Sequence, residues 1–380
     1  MIIDIDNSHS TKELCSFALV FDNAGSMFET SENEGVSHFM EHLLSHGLDP
    51  YMAYITEHGI MFNACTSKNY VAFFMYGLEK HVSKFIPTFI DSITNYQFTK
   101  SKFETEKEII LAEIYKSLSN SVRNCVHTLY EKHFGIKSTI GSVEVIKEFK
   151  YEKALALSKF EFACPTRIIN INSTSLLKII DNIKDKELRT KLKYITLCCD
   201  LQNSIPKKSP KWVKNEKFTN GTKIEMDKGV LLTQLKTIPL SYKAEASLAL
   251  SCLYNGFLSP IMKALRSELG LVYSLENSAI KFVDGIQITS IGTTRPDATE
   301  KLLKEWRNLL KSPSSLITKD IFLIFKNKRL CEDEMHIYDM SSQLFHYIDD
   351  FTDVKKVEYK KLCYVADRYL SSSNFYFERF

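Results

Sequence analysis

The chain has 380 residues, 44% of them hydrophobic and 25% charged, a globular balance with material for two to three domains. With 49 Lys and Arg against 46 Asp and Glu, the net charge is +3, which excludes nucleic acid or an anionic membrane as the expected main partner. No run of 18 apolar residues occurs, and the opening MIIDIDNSHSTKELC carries acids where a signal peptide is basic, so neither a membrane span nor secretion is expected.

In chain order, Ser16 to Phe21 (SFALVF) reads as a buried strand. Gly35 to His46 reads as a helix on the amphipathic spacing Val36, Met40, Leu43, Leu44. Ile60 to Met75 is strand-like, and Glu79 to Phe98 returns to helical period. A long helical stretch follows from Lys100 to about Phe134, with Ile109, Ile110, Ile114 and Leu118 as its apolar side. The most polar break is Asp200 to Lys217, where two prolines and five lysines interrupt the periodicity. Beyond it the order recurs: strand-like Gly229 to Ile238, helical Ala244 to Phe257, helix Pro260 to Leu269, strands across Leu271 to Ser290, then helices Ala298 to Leu310 and Thr318 to Tyr347. The repeated order predicts an α+β chain of two tandem similar domains, 1–199 and 218–380, joined by a linker at 200–217. The nine cysteines are odd in number and lack CxxC spacing. They read as reduced thiols in a cytosol-like compartment, not as a disulfide framework or a cysteine zinc site.

The sharpest signal is Ser37-His38-Phe39-Met40-Glu41-His42. On a helix His38 and His42 are i and i+4, so both imidazoles leave one face and can reach one metal ion. Glu41 sits beside them, near enough to touch a metal-bound water without being a ligand. With ten histidines in the chain, HxxEH is expected by chance roughly 0.02 times. A two-His site needs a third protein ligand. The stretch FETEKEIILAEIYKSL offers Glu106 and Glu113, two turns apart and therefore on one face, placed by the pattern opposite Ile109, Ile110 and Ile114. One of the two can ligate while the other hydrogen-bonds a ligating histidine.

These residues resemble the pitrilysin-type inverted zincins, the family of insulin-degrading enzyme, the mitochondrial processing peptidases and short bacterial zinc peptidases. The likeness starts at Asn23-Ala24-Gly25-Ser26 and runs through Glu29, Glu32 to Gly35 and the HFMEHLL helix. It resumes at Glu57-His58-Gly59, Asn63 to Ser67, Glu106 to Glu113, and Leu265 to Ser274. It implies a mostly antiparallel sheet packed with helices in each domain. By the same resemblance one zinc per chain is held by His38, His42 and Glu113, Glu41 is the general base, and Glu106 is the second acidic residue on the ligand helix. Asn63 and Ala64 on an edge strand, and Arg266 and Tyr273 in the second domain, would bind a peptide. The stretch after the helix, SHGLDPYMAYITEHG, is shorter than usual in the family, and His46 and His58 within it read as loop or core residues.

The resemblance thus implies a zinc endopeptidase that cleaves peptides or unfolded protein segments with a zinc-bound water activated by Glu41. By the same resemblance a homodimer, or a heterodimer with a related subunit, is expected, without nucleic acid. A cytoplasmic location is expected, or an organelle matrix if a presequence has been removed. The rivals are a catalytically silent structural or regulatory subunit of a processing-peptidase-like complex, and an unrelated hydrolase with a coincidental HxxEH.

Overall fold

The computed structural model describes residues 1–5, 13–22, 24–118, 131, 135–202, 229–234, 236–256, 258–282, 285–335, 339–348 and 352–379. Two compact units result: Met1–Pro210 with Met335–Phe351, and Lys211–Glu334 with Thr352–Phe380. Most of the expected linker, from residue 203 onward, lies outside the described residues, as do Asn23 and most of 119–134. Among the described residues no helix is long and apolar enough to cross a membrane.

The first unit is built on strands β1 (Ile2–Ile5), β2 (Leu14–Phe21), β3 (Met61–Thr66), β4 (Val71–Leu78) and β5 (Arg167–Ile171). They form one sheet in the order β1-β5-β2-β4-β3. Every pairing is antiparallel except β1 with β5. Strand β2 is buried nearly throughout because both sheet faces are covered. Phe17, Leu19 and Phe21 join the core that includes helices α1 (Val36–Ser45), α2 (Met52–Glu57) and α3 (Glu79–Thr94). Ala18 and Val20 face the other way, towards Leu344 and Ile348 of the helix Met340–Ile348.

That last helix comes from the far end of the chain, so the expectation that 218–380 forms one unbroken second domain is corrected there. The physical reason is burial: the outer sheet face exposes Ala18, Val20, Ala72, Phe74, Ile169 and Ile171 unless something apolar covers it.

The second unit carries β6 (Gly229–Gln234), β7 (Leu275–Lys281), β8 (Ile286–Thr293) and β9 (Phe375–Arg379) in the order β7-β8-β6-β9, wholly antiparallel. A lone strand, a hairpin and a returning last strand build both sheets. Strand for strand, β3-β4-β2-β5 repeats as β7-β8-β6-β9, and β1 is the addition in the first unit. The core of the second unit gathers around Trp306, whose indole N–H donates to Tyr254 Oη at 3.1 Å. The expected helix Pro260 to Leu269 begins as one α-turn and becomes a π-turn over Lys263–Glu268.

Candidate metal centre

Helix α1 is fixed on three sides before its polar face meets anything. Its apolar face, Val36, Phe39, Met40, Leu43 and Leu44, is buried, at roughly 1.5–3 kcal/mol for each large side chain. The Phe39 ring meets Phe103 in a tilted contact with centroids 5.1 Å apart and Phe149 edge-on at 5.2 Å, which ties α1 to the helix α4 (Lys100–Leu118). At its N-terminus the Gly35 and Ser37 N–H groups donate to the Glu29 carboxylate at 2.8 and 2.7 Å. A negative group there satisfies two otherwise orphaned donors and faces the positive end of the helix dipole. Burial nevertheless pushes the Glu29 carboxyl up to about 7, outweighing those two hydrogen bonds. Gly35 is left-handed, with φ of 86°, and a Cβ added there would lie 2.3 Å from the Gly141 Cα, so only glycine allows this approach. Ser37 Oγ accepts from the Gly25 N–H at 3.0 Å, and Met27 N donates to Lys68 O at 2.9 Å. The turn at Ala24-Gly25-Ser26, the start of α1 and the β3–β4 turn are thereby stitched together.

On the polar face, His38 and His42 have ring centroids 4.7 Å apart. Both Nε2 atoms face one oxygen of Glu113 on α4, at 3.7 Å from His38 and 3.9 Å from His42. Among the described residues this is the one group of three or more His, Cys, Asp or Glu whose donor atoms lie within 4.8 Å of one another. Glu106 lies two turns earlier on α4 and is 3% exposed. Its Oε2 is 3.4 Å from His42 Nδ1, and its Oε1 is 2.6 Å from His46 Nε2. Despite the cost of burial, these imidazoles hold the Glu106 carboxyl below its usual range. Glu106 is therefore not opposite the apolar side of α4, as the pattern suggested. It shares the buried face with Phe103, Ile110 and Ile114, while Ile109 and Leu118 are exposed at 42% and 52%. A carboxylate is tolerated there because two ring nitrogens supply its hydrogen bonds.

Glu41 takes a hydrogen bond at Oε2 from Thr66 Oγ1 on β3 at 2.9 Å. Its carboxyl is raised, chiefly by burial and also by the charge of Glu113, against the pull of Thr66 and His42. His38 is pushed down to about 4 by burial and by the neighbouring His42. His42 is raised: burial lowers it, but the Glu106 hydrogen bond and the charges of Glu41 and Glu113 prevail.

The donor set fits zinc. Two imidazole nitrogens and one carboxylate oxygen form a three-ligand set that leaves a fourth position open, and paired imidazoles disfavour magnesium or calcium. Donor atoms about 2.0–2.1 Å from a tetrahedral ion stand roughly 3.3 Å apart, close to the spacings here. The buried His38 Nδ1 has no hydrogen-bond partner of normal geometry among the described residues, although the Ile140 carbonyl faces the ring and favours a proton there. Such a ring presents Nε2 as its bare nitrogen.

The remaining expected residues fall in three places. Asn63 and Ala64 lie on β3, the edge strand of its sheet. Arg266 belongs to the π-turn, and its guanidinium lies 4.8 Å from the centroid of the Tyr273 ring, itself 78% exposed. His58 is turned into local structure, stacked on Tyr54 at 4.0 Å. His46, read from sequence as a loop or core residue, instead joins the network around Glu106. The signal for it was a third histidine at helical spacing from His42.

A two-unit α+β chain with an HxxEH helix set against the carboxylates of a second helix has the architecture of the inverted zincins. Residues 5–156 match the insulinase family, peptidase family M16. An uncharacterized zinc protease of Bacillus subtilis, YmxG, is 23% identical over 74% of this chain and 69% of its own length. Among solved structures, a protease from Helicobacter pylori superposes with a TM-score of 0.75 at 17% identity, covering 99% of this chain and 95% of that one. A peptidase M16 inactive domain from Pseudomonas fluorescens gives 0.70 at 15% identity, covering 99% and 94%. The fold of the whole chain is thus pitrilysin-like.

Proposed function

We propose that the chain is a zinc endopeptidase acting on peptides or unfolded protein segments. The observation that carries this reading is the convergence of His38, His42 and Glu113 within 4.8 Å, with Glu41 beside them and oriented by Thr66. His38, His42 and Glu113 would hold one zinc, and Glu106 would fix His42 through its Nδ1. When bound, zinc supplies Lewis acidity, acidifying a water and polarising a carbonyl. Glu41 then accepts the water proton as it attacks and returns it to the leaving amine. Oε1 is the oxygen for this task, because Oε2 is engaged by Thr66. A carboxyl raised by its surroundings is better matched to proton transfer near neutral pH than an ordinary one.

An extended peptide would add to the sheet along β3 beside Asn63 and Ala64, so recognition would rest on backbone pairing more than on one side chain. Arg266 and Tyr273 would hold a substrate carbonyl through their N–H and O–H donors. The active form would be a homodimer, or a heterodimer with a related subunit, in the cytoplasm.

A catalytically silent subunit is the second reading, favoured by the same fold in a chain described as an inactive domain. Metal analysis and cleavage mapping on a mixed peptide pool, with and without chelator, decide between the two. One zinc per chain and chelator-sensitive cleavage are expected; zinc without turnover would select the silent subunit. Arg266→Ala and Tyr273→Phe should lower kcat/KM at unchanged zinc content, whereas wild-type kinetics in both would remove them from the substrate site.

A further inference from the structure

Helix α1 ends on a third histidine to which the hydrolytic reading gives no role. His46 lies two turns beyond His38, roughly 80° round the helix and about 12 Å along it, so it cannot complete the ligand set of His38, His42 and Glu113. Its ring nonetheless contacts Glu106, whose side chain is 4% exposed. Nε2 is 2.6 Å from Glu106 Oε1, and Nδ1 is 2.9 Å from Asp49 Oδ2. Lys102, one turn before Glu106 on α4, reaches the same Asp49 oxygen at 3.1 Å. Lys102, Asp49, His46 and Glu106 therefore close a ring between α4 and the C-terminal end of α1.

The consequence follows from counting donors. The Glu106 side chain is 4% exposed, so water cannot readily serve its two oxygens, and a buried acceptor left without a donor is costly. Oε2 faces His42 Nδ1 at 3.4 Å, a long contact, whereas the contact from His46 to Oε1 is short. The short contact anchors the carboxylate; the long one takes its direction from that anchor. We propose that His46 is a positioning residue for the metal centre: it holds the Glu106 carboxylate in the rotation that presents Oε2 to His42, and so keeps His42 Nε2 aimed at Glu113. Asp49 and Lys102 hold the His46 ring in turn. The inference rests on the zinc reading above and adds to it a group that touches neither metal nor substrate.

The test is the zinc affinity of the full chain, measured by competition with a chromogenic chelator, in wild type, His46→Leu, Glu106→Gln and the double variant. Loss of a group that orients a ligand typically costs 10- to 100-fold in metal affinity, and His46→Leu is expected in that range. In the Glu106→Gln background the same replacement should add little, because His46 acts through Glu106. Asp49→Asn alters a half-exposed side chain and leaves the core untouched. It should weaken zinc binding a few-fold, which keeps the test open if His46→Leu fails to fold. Unchanged affinity in Asp49→Asn and His46→Leu, or equal losses with and without Glu106, would overturn the positioning role while leaving the zinc site in place. A wild-type chain that takes up no zinc would instead end the reading on which the inference rests.

Discussion

Thr66 shows how much of the chemistry depends on single hydrogen bonds. Its hydroxyl fixes one oxygen of Glu41, so Thr66→Val should lower kcat about 10-fold, with KM and zinc content little changed, and Thr66→Ser should restore it. Steady-state kinetics on any cleaved peptide decide this; a Ser variant as slow as Val would assign Thr66 to packing. Glu29 offers a different readout. Its carboxyl rises from 4.5 in the unfolded chain to about 7 in the folded one, through burial. Between those values the folded state holds a proton that the unfolded state has lost, so this group's contribution falls as pH rises through that window. Above pH 7 the full cost, about 3 kcal/mol, is present. Glu29→Gln should flatten that dependence in urea unfolding of the zinc-free chain at pH 5 to 8, and parallel wild-type and variant profiles would contradict it. At this scale the sequence showed His38, Glu41 and His42 through their spacing alone, since helix geometry puts them on one face. The spacing gives no sign of a part for His46, since three ligands complete the set without it; its contact with Glu106 follows from the burial of that carboxylate.

Between elements, the decisive contact is α1 against α4, joined by Phe39, Phe103 and Phe149. Phe39 is fully buried, and Phe39→Ala should cost about 3–5 kcal/mol. It should also weaken zinc binding, because His38 and His42 sit on one helix and Glu113 on the other. Unfolding midpoints measured with and without zinc separate the two effects; a stability loss at unchanged affinity would show that the helices hold their spacing without this cluster. The hydrophobic period located both helices but misjudged which face of α4 is buried. Counting only apolar residues put Glu106 outside, while the packed structure seats it inside beside Phe103 and Ile110. Strands β5 and β9 are not legible in the sequence because their short stretches carry no alternation long enough to distinguish them from loops. Their places follow from pairing with distant strands.

At the level of the whole chain, the duplication was visible as a recurring order of elements, and the two sheets repeat it strand for strand. The exchange of one helix was not visible, since nothing in Met340–Ile348 says which sheet it will cover. Phe345 packs at 5.1 Å on Phe74 of β4, and Arg167, paired with Asp22 at 2.6 Å, donates to the Tyr347 carbonyl at 3.1 Å. A fragment ending at residue 210 therefore lacks the cover of its outer sheet face. It should bind a hydrophobic dye and aggregate, and supplying residues 335–351 through a short linker should rescue it. A soluble, cooperatively unfolding 1–210 fragment would show that the helix is dispensable. Arg167→Ala should cost about 3–5 kcal/mol in the full chain by removing the cation that faces the buried Asp22 carboxylate.

The central claim is that His38, His42 and Glu113 hold a zinc beside which Glu41 moves the proton. Zinc content and cleavage of a mixed peptide pool, measured side by side on wild type and Glu41→Gln, test it most directly. The account predicts one zinc per chain in both proteins, chelator-sensitive cleavage by wild type, and turnover lowered 10²- to 10⁴-fold in the variant. Undiminished cleavage by Glu41→Gln, or wild-type cleavage that survives complete removal of zinc, would contradict it.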